Sequence, residues 1–190
     1  IYAIDKDAQT LAQAEAMGVI DRGFISVKDF DQNVDLIALC TPVGLMPKVA
    51  AELAKKQPHA LFTDAGSTKK TIVQAMKELG VRYVGTHPMA GSERSGFAAS
   101  RADLFYNATY CIITDNAFNE DIELVKGWIL HMGGRPINIC ADEHDCAVAA
   151  VSHLPHLLAS ALVATAADTA KLIPQAGEMA AGGFLDMTRI

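Results

Sequence analysis

Two rhythms of apolar and polar positions alternate through the first two-thirds of the chain. Short, mostly apolar runs at 1–4, 35–40, 60–64, 82–87, 109–114 and 135–140 predict buried strands. Between them, 8–17, 45–56, 67–79 and 119–132 carry helical spacing, with Gly18 and Gly80 as stop signals and Ser67 as a predicted N-cap. Strands and helices alternating at this interval predict an α/β fold with a doubly wound, mostly parallel sheet. Beyond Asp142 the strand rhythm ends, and 143–169 reads as one long Ala/Leu-rich helix. That helix lacks a strongly polar face, so it is expected to pack on another helix or another subunit. The change of rhythm divides the chain into residues 1–140 and residues 141–190, without internal repeats or low-complexity stretches.

Composition removes several classes of function. With 51% apolar and 20% charged residues the chain has an ordinary globular balance. A net charge of -6 and no Lys/Arg run argue against a nucleic-acid surface. Cys40, Cys111, Cys140 and Cys146 form no CxxC pair and no His/Cys metal spacing, which suits reduced thiols in the cytoplasm and no metal site. No signal peptide is recognisable. The stretch nearest to a bilayer-spanning run, 147–167, is interrupted by His153, Pro155 and His156, so no membrane association is expected.

Polar residues collect at the predicted strand ends: Asp5, Thr41, Asp64 with Ser67, and His87 with Ser92 and Glu93. In a parallel sheet that edge forms a cleft. A strand stopping at His87-Pro88 would present an imidazole there, and imidazole accepts protons near neutral pH. Ser67 reads as a helix cap that can also donate to a histidine. Ser67, His87 and Asp64 could alternatively form a hydrolase set, although AGST is not a GxSxG elbow. His153 and His156 lie three residues apart on one helix face, a poor zinc spacing. Arg189 reads either as a surface residue or as an anion clamp. The chain opens directly on a strand ending in Asp5, with no G-x-G-x-x-G turn before it, and stops abruptly at Thr188-Arg189-Ile190. It therefore reads as a fragment, and a dimerising module without catalysis remains an alternative.

Taken together, DLIALCTPV (35–43), DAGSTK (64–69), GTHPMAGSE (85–93), DLF (103–105), SHLPH (152–156) and GGFLDMTRI (182–190) resemble the prephenate/arogenate dehydrogenase family of tyrosine biosynthesis, in order and along the whole chain. The resemblance implies a Rossmann-type nucleotide-binding domain followed by an all-α dimerisation domain, and therefore a homodimer. It implies oxidation of prephenate, a small-molecule substrate, with loss of CO2 and transfer of hydride to a nicotinamide cofactor. Arogenate or another hydroxyacid are the alternative substrates. His87 would accept the hydroxyl proton with help from Ser67. Arg189 would hold the pyruvyl carboxylate, while Ser92, Glu93, His153 and His156 line the cleft. Asp5, Thr41, Pro42 and Val43 would hold the cofactor. A carboxylate at Asp5 favours NAD over NADP, since it pairs with ribose hydroxyls and repels a 2'-phosphate.

Overall fold

In a computed structural model, which describes residues 1–91 and 96–189, the first unit is an α/β fold spanning Ile1–His144. It opens with β1 (Tyr2–Ile4), α1 (Ala8–Ala16) and β2 (Arg22–Phe24), and β1 and β2 pair in parallel. Asp7 caps α1 by accepting from the Gln9 amide at 2.9 Å. The sequence rhythm does not reveal β2, because its three residues are Arg-Gly-Phe and only Phe24 is buried. Gly23 in this strand allows close packing, since a Cβ there would sit 2.9 Å from the Leu11 side chain of α1.

The main sheet contains β3 (Leu36–Leu39), β4 (Leu61–Asp64), β5 (Arg82–Pro88), β6 (Thr109–Ile113) and β7 (Arg135–Ile139) in sequential order. Every pairing among the described residues is parallel except β5 with β6. The helices of this part are α2 (Met46–Lys56), α3 (Lys70–Leu79) and α4 (Asn119–His131). Side-chain alternation along the strands feeds two cores. Phe62, Tyr83 and Ile113 face one core with Met46, Leu53, Ile72 and Met76 of α2 and α3. Leu61, Val84 and Ile112 face the other with Ile122, Val125 and Ile129 of α4. Both faces are thus covered by helices, which is what makes the sheet doubly wound. Arg82 at the start of β5 forks onto the buried carboxylate of Asp121, fixing α4 to the sheet.

The remaining helices are α5 (Ala141–Val148), α6 (Leu154–Leu172) and α7 (Gly182–Thr188). A π-helical stretch, Ala149–His153, joins α5 to α6. Pro155 lacks an amide hydrogen, and the wider π turn just before it lets the helix continue instead of breaking. This corrects the expectation that His153, Pro155 and His156 interrupt the run. The helix continues through Ala141–Leu172 and is long and apolar enough, by length and composition alone, to cross a membrane. Asp145–Ile190 forms the second unit. Within α6 only Ala159 is buried, whereas Leu154, Leu157, Leu158 and Val163 are exposed.

Candidate active site

β3, β4 and β5 run in the same direction, so their C-terminal ends bring three loops to one edge. The loop after β3 carries Thr41, Pro42 and Val43, and the loop after β4 carries Ser67. Gly66 lets these two loops meet: a Cβ at this position would lie 2.8 Å from the Asp64 carboxylate and 3.0 Å from the Val43 side chain. Thr41 contributes a buried hydroxyl with no hydrogen-bond partner among the described residues. A buried orphan hydroxyl calls for a ligand or water to satisfy it.

The edge is held together by a buried charge knot that sequence reasoning missed. The Asp64 carboxylate accepts from the Tyr83 hydroxyl at 2.7 Å, the Gly66 amide at 2.9 Å and the Thr86 amide at 3.2 Å. Lys69, whose side chain is fully buried, forms an ion pair with the same carboxylate and donates to the Thr86 carbonyl at 2.7 Å. The Thr86 hydroxyl donates to the Asp64 carbonyl. Burial pushes the Tyr83 hydroxyl pKa far up, and the Asp64 charge adds to that shift. Tyr83 stays protonated and serves as a donor. Gly85 leaves room for it, since a Cβ there would lie 2.8 Å from the Tyr83 oxygen.

This knot corrects the reading of Ser67. Helix α3 begins at Lys70, its cap position is Lys69, and no side chain caps it. Asp64 holds the turn from within by taking the Gly66 amide and drawing Lys69 inward. Ser67 is left exposed at the edge. Asp64 therefore does not orient His87, and the hydrolase set of Ser67, His87 and Asp64 is not assembled.

His87 instead pairs through Nδ1 with Nε2 of His144, at 2.9 Å, with the rings edge to face. His144 is buried in the first turns of α5, 57 residues further along the chain. Strand β5 also extends one residue past the expected stop, because Pro88 pairs with Tyr110. Met89 donates to Thr109 on the β6 side, whereas the Thr86 amide points to Asp64 on the β4 side. By alternation the Pro88 nitrogen also faces the β4 side, where β4 has already ended, so no ladder bond is lost.

Asp5 stands at the end of β1, exposed, with its Oδ1 accepting from the Asp7 amide at 2.8 Å. Ser92 and Glu93 lie outside the described residues. His153, His156 and Arg189 belong to the second unit. His156 donates from Nδ1 to the Ser152 carbonyl at 2.8 Å, which leaves Nε2 as an acceptor in the neutral ring. It lines a groove of about 380 Å³ with Ala159, Ser160, Val163, Ala164, Ala167 and Thr188, the residue before the exposed Arg189. No cluster of metal ligands occurs among the described residues.

Comparison with known proteins places this geometry in a lineage. Residues 1–138 match the family described as prephenate dehydrogenase, nucleotide-binding domain, and residues 140–190 match prephenate dehydrogenase, dimerization domain. The prephenate dehydrogenase of Lactococcus lactis is 41% identical over 93% of this chain and 50% of the relative. The chain spans about half the length of the curated relatives it matches. The crystal structure of prephenate dehydrogenase from A. aeolicus, in complex with hydroxyphenyl propionate and NAD+, superposes with a TM-score of 0.91. It is 32% identical, and the match covers 100% of this chain and 68% of that one. Synechocystis arogenate dehydrogenase gives a TM-score of 0.84 at 26% identity, covering 99% of this chain and 69% of that one. The Rossmann-type sheet followed by a helical unit agrees with both of these matches, and the chain belongs to the prephenate dehydrogenase family.

Proposed function

We propose that this chain catalyses the NAD-dependent oxidative decarboxylation of prephenate to 4-hydroxyphenylpyruvate. The observation that carries the reading is the imidazole of His87, fixed through Nδ1 at the end of β5 on the edge where Thr41 leaves a hydroxyl unsatisfied. Prephenate gains aromatic stabilisation as CO2 leaves, so the protein needs to position the ring and remove the hydroxyl proton. Neutral His87, through Nε2, is the base for that proton. Ser67, exposed at the same edge, is the proposed donor to the hydroxyl oxygen.

The residues present fit a dinucleotide. Asp5 offers a carboxylate for ribose hydroxyls, which favours NAD over NADP, and Thr41, with its unsatisfied hydroxyl, Pro42 and Val43 would also hold the cofactor. When bound, NAD+ supplies the hydride acceptor. Arg189 is the proposed anchor for the pyruvyl carboxylate. A tight cation on the ring carboxylate would instead stabilise the ground state against decarboxylation. His153, His156, Ser92 and Glu93 are proposed to complete the substrate cleft. Residues 1–140 then serve nucleotide binding, and 141–190 serve substrate contact and assembly.

The exposed leucines of α6 and the dimerization-domain match support a homodimer, with this apolar helix as a subunit interface. The four free thiols support a cytoplasmic setting. The intact enzyme, given NAD+ and prephenate, is expected to form reduced nicotinamide and 4-hydroxyphenylpyruvate in equal amounts. Turnover with arogenate alone, yielding tyrosine, would move the assignment to the arogenate branch. Turnover with neither substrate would overturn it.

A further inference from the structure

We propose that His144 is a positioning residue that fixes the tautomer of His87: it accepts the His87 Nδ1 proton at its own Nε2 and so holds His87 Nε2 unprotonated toward the substrate. The inference rests on the prephenate reading for what Nε2 does, but the dyad itself is a matter of geometry. The two nitrogens are 2.9 Å apart, and one of them must donate. In neutral imidazole one nitrogen carries hydrogen and the other a lone pair, so the Nδ1 bond decides which role remains at Nε2. If His144 donated, His87 would carry its proton on Nε2 and could not act as a base. With His87 donating, Nε2 keeps its lone pair and can serve as the acceptor.

The chain holds His144 in place from three directions. Its ring is buried, at 1% exposure, and its amide donates to the Cys140 carbonyl at 2.9 Å. The Ala141 amide, at the start of α5, donates to the Asp115 carboxylate at 2.8 Å. Lys70 at the start of α3 pairs with Asp142 at 2.7 Å, tying the same helical turn to the element after the Ser67 loop.

The chemistry also explains an imidazole where other enzymes place a carboxylate. A carboxylate on Nδ1 would fix the same tautomer but would also favour the imidazolium and place a full charge beside the ring. A neutral, buried acceptor fixes the tautomer without adding charge. Partners that orient a metal-bound histidine through its second nitrogen change activity by about ten- to a hundredfold when removed, and an effect of that size is expected here.

The first test needs no substitution. Nitrogen-15 NMR of the imidazole ring nitrogens in the intact enzyme should show His87 protonated at Nδ1 and bare at Nε2; a proton resident on Nε2 overturns the proposal. His144→Phe, which keeps a ring but removes the acceptor, should move that proton toward Nε2. The same variant should lower kcat about ten- to a hundredfold with KM changed less than about threefold. His144→Gln, whose Oε1 can accept from His87, should return kcat to within about threefold of the parent enzyme. Unchanged kcat in His144→Phe, or no rescue by Gln in a folded variant, overturns it. The NMR readout is independent of substrate: the proposed tautomer in an enzyme inactive on prephenate would overturn the functional reading and leave the dyad standing.

Discussion

Replacing Lys69 by methionine should be among the most damaging single changes in the nucleotide-binding unit, although it looks conservative in size. Both side chains of the Asp64–Lys69 pair are fully buried. Methionine would fill most of the lysine volume and leave the Asp64 carboxylate charged, out of water and without its cation. Three neutral donors would remain, from Tyr83, Gly66 and Thr86, while the Thr86 carbonyl would lose its bond from Lys69. Breaking a buried pair from one side costs about 3–5 kcal/mol, most of it from the stranded charge. At about 2–4 °C per kcal/mol for a chain of this size, the melting temperature should fall by roughly 6–20 °C. Circular dichroism with thermal and urea denaturation measures both quantities. Asp64→Asn combined with Lys69→Met removes both charges, so the double variant should lose clearly less stability than the two single losses added together. A loss below about 1 kcal/mol in Lys69→Met, or strict additivity in the cycle, would refute the claim that a stranded carboxylate dominates.

His87→Asn should keep KM for prephenate within a few-fold while lowering kcat by about a hundredfold or more, the usual scale for a lost general base. Steady-state kinetics decides, and unchanged kcat would place the base elsewhere. Arg189→Gln removes a charge and a two-pronged donor, so KM should rise about tenfold, equivalent to ~1.4 kcal/mol, with kcat nearly unchanged. A collapse of kcat at constant KM would put Arg189 in the transition state instead. Burial raises the pKa of the Cys111 thiol, against a smaller opposing pull from the Lys69 charge. Only thiolate reacts with iodoacetamide, so mass spectrometry near pH 8 should find exposed Cys146 alkylated well before Cys111 in the folded enzyme. Raising the pH or unfolding the chain should speed labelling of Cys111, and equal rates for the two thiols would contradict its burial.

What could be read from the sequence follows the range over which each interaction acts. The short apolar runs at 60–64 and 82–87 lie among neighbours along one strand, so β4 and β5 were legible, as was the long apolar helix. β2 was not, since three residues with one buried side chain carry no period. The reading of Ser67 as a cap failed for a nonlocal reason. A serine before a helix is a good local signal, but Asp64, held by Tyr83 and Thr86 of the neighbouring strand, claims the turn. Lys69 defeats composition-based reasoning in the same way, because lysine reads as surface until its partner is known.

His144 shows most clearly where sequence reasoning stops. His87 was found because its own neighbours, Thr86 and Pro88, mark a strand end, whereas its ring partner lies 57 residues away after another strand. A signal did exist: a histidine in the first turns of the helix following the last strand, beside Asp142 and Asp145. It gains meaning only once β7 lies beside β6, and β6 in turn beside β5 with Cys111 opposite His87. That register sets Ile139 level with Ile113 and Gly85, and Ala141 at the start of α5 joins the core beside Tyr83 and Ile113, from which side His144 reaches His87. The proposed base was therefore written locally, but the ring that it pairs with is brought to it by topology.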